Sequence, residues 1–135
     1  MSSSPDASTG PEFGLRRIHQ IAVTVKDVDR AVAFYRDALG MTLLFRAPPG
    51  LAFFDCGGIR LMLSLPEGAE GPRGNSIIYY GVEDIGQAHA TLARRGVRFL
   101  GDPHLVARLP DRDVWLAELR DSEDNVLALM SERPH

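Results

Sequence analysis

The sequence predicts an α+β fold built from two tandem βαβββ units, and three observations predict it. First, the chain repeats itself. Val25-Lys26-Asp27-Val28, followed by Ala31 and Ala33, returns 57 positions later as Val82-Glu83-Asp84-Ile85, followed by Ala88 and Ala90. Second, each copy joins a strand-like alternation to a helix-like run. Third, a glycine closes each run, Gly40 before Met41 and Gly96 before Val97. A fixed period marks a duplicated supersecondary unit whose copies bury together what neither buries alone.

The elements follow in order. Residues 1–14 are rich in Ser, Pro, Gly and Asp and read as a disordered arm or a remnant of an expression tag. The first unit occupies residues 15–65. From His19 to Val25 the apolar Ile21, Val23 and Val25 alternate with Gln20, Ala22 and Thr24, as on a half-buried strand. Asp27 and Asp29 offer N-caps for a helix running to Leu39, with Gly40 as its stop. Strands are expected over 42–46 and 51–55. The Gly57-Gly58 pair then turns a tight hairpin into a strand over 59–65. Residues 66–75, dense in Gly and Pro, form a linker. The second unit, residues 76–132, repeats the order: strand 76–82, helix about 84–95, then strands near 97–100, 113–120 and 125–131. Asp121 to Asn125 turns the last hairpin, and residues 101–112 read as the longest irregular loop of this unit.

Composition narrows the function classes. The 135 residues are 44% hydrophobic and 24% charged, as in a soluble globular domain. A net charge of −3, with only Arg16-Arg17 and Arg94-Arg95 as basic pairs, argues against a nucleic-acid partner. No apolar run reaches the length of a membrane span, so no membrane role is expected. The single Cys56 has no cysteine to pair with, which fits a reducing, cytoplasmic setting, and no His beside it marks it as a nucleophile.

Two stretches carry a resemblance, Gln20-Ile21-Ala22-Val23-Thr24-Val25-Lys26-Asp27 and Ala33-Phe34-Tyr35-Arg36-Asp37-Ala38-Leu39-Gly40-Met41. Together with the Arg120-to-Asn125 hairpin they resemble the vicinal-oxygen-chelate superfamily over about residues 17 to 132. That superfamily includes glyoxalase I, methylmalonyl-CoA epimerase, extradiol dioxygenases and the fosfomycin- and bleomycin-resistance proteins. The resemblance implies two curved half-barrel sheets around a cavity, with the helices outside. It also implies a divalent metal held by four side chains, one from each of four strands. Carried over residue by residue, those positions fall on Gln20, Met62, Ile77 and Ala128. Glu, His and Glu are usual at the last three.

Divalent Zn, Ni, Co or Fe needs imidazole, carboxylate or thiolate donors. Ile and Ala offer none, a thioether suits soft ions, and one amide oxygen does not hold a metal by itself. No cofactor is therefore expected. The alternative is a divalent metal relocated to a non-standard site recruiting His104 or Glu118. His19 is expected on the opposite face from Gln20, and His89 is expected solvated on the second helix.

Alternation from the carried-over positions gives the candidate ligand-binding residues. They are Gln20 and Thr24, Arg60 and Met62, Ile77 and Tyr79, Leu116 and Glu118, and Ala128 and Met130. The opposite positions, from Ile21 through Leu61, Leu63 and Leu65 to Leu129, should pack against the helices. Trp115 and Phe53 or Phe54 read either as core or as a stacking surface for a planar ligand, with Phe54 the candidate carried forward. Glu118 and Tyr79 are the candidate catalytic groups. Glu118 reads either as a desolvated proton-transfer group or as a carboxylate paired with Arg60 or Arg120.

Two functions follow from the resemblance. One is a metal-free protein, similar to the bleomycin-resistance branch, that binds a hydrophobic or aromatic small molecule and confers antibiotic resistance. The other is a lyase or isomerase of glyoxalase or epimerase type. The resemblance also implies a homodimer.

Overall fold

The computed structural model of the chain describes residues 13–66 and 76–135. The expected arm at 1–14 and the linker at 66–75 lie almost wholly outside the described residues. The first unit runs β1 (Gln20–Thr24), α1 (Val28–Ala33), β2 (Thr42–Ala47), β3 (Leu51–Cys56) and β4 (Ile59–Ser64). The second runs β5 (Ile78–Gly81), α2 (Ile85–Arg94), β6 (Arg98–Phe99), β7 (His104–Arg108), β8 (Arg112–Arg120) and β9 (Val126–Pro134).

Each unit forms one open, mixed sheet with the same path. The first is ordered β1-β4-β3-β2 and the second β5-β9-β8-β6, with β7 also paired to β8. In both, the first strand lies parallel to the last, and the remaining pairs are antiparallel. β6 and β7 take the same edge of β8, at Arg120–Leu119 and Leu116–Asp113, so together they stand where β2 stands in the first unit. The segment expected as the loop 101–112 is therefore mostly strand. Gly101, Asp102 and Pro103 interrupt one edge strand, and the hairpin that follows closes where Leu109 donates to the Arg112 carbonyl at 2.7 Å.

The repeat survives at the level of single hydrogen bonds. Asp27 and Asp84 both sit in extended backbone and cap their helices, accepting from the Arg30 and Gln87 amides at 3.0 Å each. Val25 donates to Ser64 and Val82 donates to Met130, each at 2.9 Å. Gly40 and Gly96 take left-handed φ angles of 77° and 87°, which a side chain would strain. The cap at Asp84 sets a direct expectation. Asp84→Ala should lower unfolding free energy by about 1 kcal/mol in a urea melt, and an unchanged midpoint would show that the cap contributes nothing.

α1 is shorter than the expected helix to Leu39. It widens over Phe34–Ala38 into a π-helical turn, closed where the Leu39 amide reaches the Phe34 carbonyl at 3.0 Å. The turn keeps Tyr35 fully buried against Phe54, with ring centroids 6.0 Å apart.

One core serves both units. It joins Val23, Val25, Tyr35, Phe54, Leu61 and Leu63 of the first to Ile85, Val97, Leu119, Leu127 and Leu129 of the second. Trp115 packs against it. Leu65, expected among them, is instead 40% exposed. His89 is not solvated: its ring lies 4.1 Å from that of Phe99 and its Nε2 is buried.

A polar knot fastens the units together. The Tyr35 hydroxyl donates to Asp121 at 2.7 Å, and Asp121 also accepts from the Glu123 and Asn125 amides at 2.8 and 2.9 Å. Glu123 accepts from the Lys26 and Asp27 amides at 2.9 and 3.1 Å and pairs with Arg30 at 2.7 Å. The Asn125 amide reaches back to the Thr24 carbonyl at 3.1 Å. The last hairpin thus supplies acceptors for the exposed amides that open the first helix. Burial and the neighbouring Asp121 push the Tyr35 hydroxyl well above its usual range, so it stays a donor.

Candidate functional site

Because the helix side of each sheet is committed to the core, strand alternation turns the candidates to the other side. In the first sheet Gln20 lies beside Arg60, and Ala22 lies between Gln20 and Thr24, paired with Met62. β3 adds Phe53 opposite Met62. In the second sheet Tyr79 pairs with Ala128 and Ala128 with Glu118, while Met130 pairs with Leu116 and Leu116 with His104. The structure therefore gathers the candidates into two groups, one on each helix-free face. Ile77 stands just before β5, 46% exposed.

Phe54 is a correction. It is fully buried among Tyr35 and Leu61 on the helix side, and Phe53 occupies the face assigned to it. The signal was present in the sequence. Asp55 is exposed, and alternation places Phe54 on the face opposite that of Asp55 and Phe53.

The first face holds a connected set of side chains. Gln20 accepts from Arg60 Nε at 2.8 Å, and its own amide nitrogen lies 3.8 Å from the Met62 sulfur. The Arg60 guanidinium carbon stands 5.5 Å from the centre of the Phe53 ring, within cation–π range. Phe45 stacks on Phe53 at 4.6 Å and is itself 49% exposed. His19, expected on the far side from Gln20, instead shares a recess of about 160 Å³ with Leu44, Asp55 and Arg60. It sits just ahead of β1, where alternation no longer governs direction.

On the second face Glu118 pairs with neither Arg60 nor Arg120. Its neighbour is His104, at 3.9 Å, whose Nδ1 lies 3.2 Å from the Asp102 carbonyl. Arg120 Nη1 instead donates to the Asp124 carbonyl at 3.0 Å. Among the described residues no group of three or more His, Cys, Asp and Glu side chains is placed to hold a metal ion. The four carried-over positions hold Gln20, already bonded to Arg60, together with a thioether and two hydrocarbon side chains. That donor set does not fit a divalent metal of the family kind.

Among the described residues neither face is enclosed, as the half-exposed Tyr79 at 51% shows. Two larger cavities are also present. One, of about 540 Å³, opens under α2 between Leu39, Met41 and Leu92. The other, of about 560 Å³, lies between Ile21, Cys56, Ile59 and β5, and the candidates Ile77 and Tyr79 both line it. Tyr80 borders both, its hydroxyl buried without a partner among the described residues and pushed up in pKa by that burial. No helix of the described residues is long and apolar enough to cross a membrane.

Solved structures share this architecture. A lactoylglutathione lyase from Agrobacterium tumefaciens is 22% identical, with a TM-score of 0.65 over 85% of this chain and 92% of its own. A glyoxalase/bleomycin resistance protein/dioxygenase from Nocardioides is 23% identical, with a TM-score of 0.69 over 89% of this chain and 85% of its own. A member of the same superfamily from Sphaerobacter thermophilus is 24% identical, with a TM-score of 0.69 over 87% and 98%. At these identities the likeness is one of fold. Comparison with curated proteins gives no match. The sequence pattern of one family runs through both units, from residue 17 to residue 129, and by that match the chain belongs to the Glyoxalase/Bleomycin resistance protein/Dioxygenase superfamily.

Proposed function

We propose that the protein binds a small hydrophobic or aromatic organic molecule on its helix-free sheet faces, without a metal. The observation that carries this reading is the fate of the four metal-ligand positions. Gln20 is engaged by Arg60, and Met62, Ile77 and Ala128 bring no hard donor. What surrounds them is the usual lining of an organic-molecule site: aromatic and aliphatic side chains with a few placed polar groups. The open faces also support a homodimer, in which a second copy covers one sheet and turns an exposed face into a walled site. The lone Cys56 supports a reducing, cytoplasmic location.

Elemental analysis of protein purified without chelator tests the metal-free reading. Zn, Ni, Co and Fe should be well below one per chain, and adding them should leave the thermal midpoint unchanged. A stoichiometric metal that raises the midpoint would overturn it.

One observation favours a second reading, a metal-independent lyase or isomerase. His104 and Glu118 stand 3.9 Å apart on an open face, with Tyr79 two strands away in register. A carboxylate beside an imidazole is equipped to pass a proton to and from a bound carbon acid. On any thioester or aromatic compound the protein turns over, Glu118→Gln should then lower kcat by about 10²- to 10⁴-fold. Unchanged turnover would remove Glu118 from the chemistry.

A further inference from the structure

The first sheet places one cation among its aromatic side chains in a way that selects a ligand charge. Arg60 has its Nε committed to Gln20 at 2.8 Å, which fixes the plane and direction of the guanidinium. Its terminal nitrogens donate to no acceptor among the described residues. The same guanidinium stands over Phe53, whose ring stacks on the half-exposed Phe45, so an apolar wall lies beside the unspent donors. The nearest carboxylate by register is Asp55, the cross-strand partner of Arg60. One of its oxygens already accepts from the Gly58 amide at 3.3 Å.

A guanidinium held by one nitrogen presents a rigid fork suited to a carboxylate, and it remains charged at any working pH. A neutral ligand would leave that fork unpaired against the wall. An aromatic carboxylate satisfies both halves of the surface at once. Its oxygens take the fork, and its ring lies on the exposed Phe45, which is itself stacked on Phe53.

Resting on the small-molecule reading above, we propose that this face binds an aromatic carboxylate, with Arg60 as the anchor of its oxyanion and the half-exposed Phe45, backed by Phe53, as its stacking surface. In this arrangement the protein supplies from its own side chain the positive charge that a bound metal would otherwise bring to the ligand oxygen. Gln20 is a positioning residue that aims the fork.

Calorimetry on the full chain with 1-naphthoate and the neutral 1-naphthamide tests this. The carboxylate should bind the native protein about tenfold or more tighter than the amide. Arg60→Gln should abolish that preference by weakening the carboxylate far more than the amide, and Arg60→Lys should restore part of it. Phe45→Ala should weaken both probes. Circular dichroism and the thermal midpoint of each variant confirm that it is folded. Equal affinities for the two probes, untouched by Arg60→Gln, would overturn the carboxylate assignment and leave the small-molecule reading standing. If neither probe binds, and Arg60→Gln instead shifts the sedimentation of the protein, the fork is taken by a second copy of the chain and the proposal fails. The elemental analysis above decides the metal-free reading separately.

Discussion

Glu123→Gln is expected to cost about 3 kcal/mol of unfolding free energy at neutral pH and much less near pH 2. The Glu123 side chain is only 1% exposed. Its carboxyl is held at about 2, against an ordinary value of 4.5, chiefly by the hydrogen bonds from Arg30. Burial opposes the shift, and the Lys26 amide, the Ser122 hydroxyl and the Asp27 amide add to it. A depressed folded-state pKa means that the unfolded chain takes up the proton more readily. The stabilisation is therefore fully present above about pH 4.5 and is lost as pH falls toward 2, a window worth about 3 kcal/mol. Glutamine keeps one acceptor oxygen but turns an NH₂ group toward the same donors, so the helix-opening amides and Arg30 are left short. Urea melts at pH 7, 4.5 and 2.5 check the sign. The native protein should lose stability steeply across the window while the variant changes less. Parallel curves would show that the knot does not carry the linkage.

That knot was the part of the structure least legible in the sequence. Residues 121–125 read correctly as a turn, because turn chemistry is local. Their second role, accepting from the first helix nearly a hundred positions away, left no periodic trace. A buried carboxylate finds its donors only once the chain has folded. Most of the fold was legible for the opposite reason. Alternation in Ile21-Val23-Val25 and Leu61-Leu63, the aspartate caps and the glycine stops each state a local preference, and the duplication states them twice. Where local signals were interrupted, the reading failed. Pro103 and Gly101 broke one edge strand into β6 and β7, so His104 was taken from a strand facing Glu118 and read as a loop residue. Which candidate side chains share a side was legible, since parity alone sets it. The single enclosed cavity expected between the sheets was not, because parity says nothing of how the two sheets are set against each other. The Arg60–Gln20–Phe53 contacts were not, because they join three strands whose register no single strand encodes.

Two adjacent phenylalanines should separate folding from binding. Phe54 has no exposed surface and packs against Tyr35 in the core that joins the two units. Phe54→Ala removes a whole ring from a site bounded by β4 and α1, where little can collapse to fill the gap. A loss of about 3–5 kcal/mol is expected, read from the midpoint of a urea melt. That is a large share of the margin on which a domain of this size rests. Phe53, one residue away, is buried by a different set of neighbours: Phe45, Arg60 and Met62 on the open face, outside the shared core. Phe53→Ala should cost clearly less stability, because Phe45 and Arg60 are free to close over the space from the solvent side. Its effect should fall on ligand affinity instead, through the Phe45 ring that Phe53 backs. If the two variants are destabilised alike, the face carrying Phe53 is structural, and the division of each sheet into a core side and a binding side is wrong. If Phe53→Ala folds as well as the native chain and binds naphthoate less tightly, the parity of a single strand has divided the work: one ring holds the units together, and the next backs the Phe45 ring that meets the ligand.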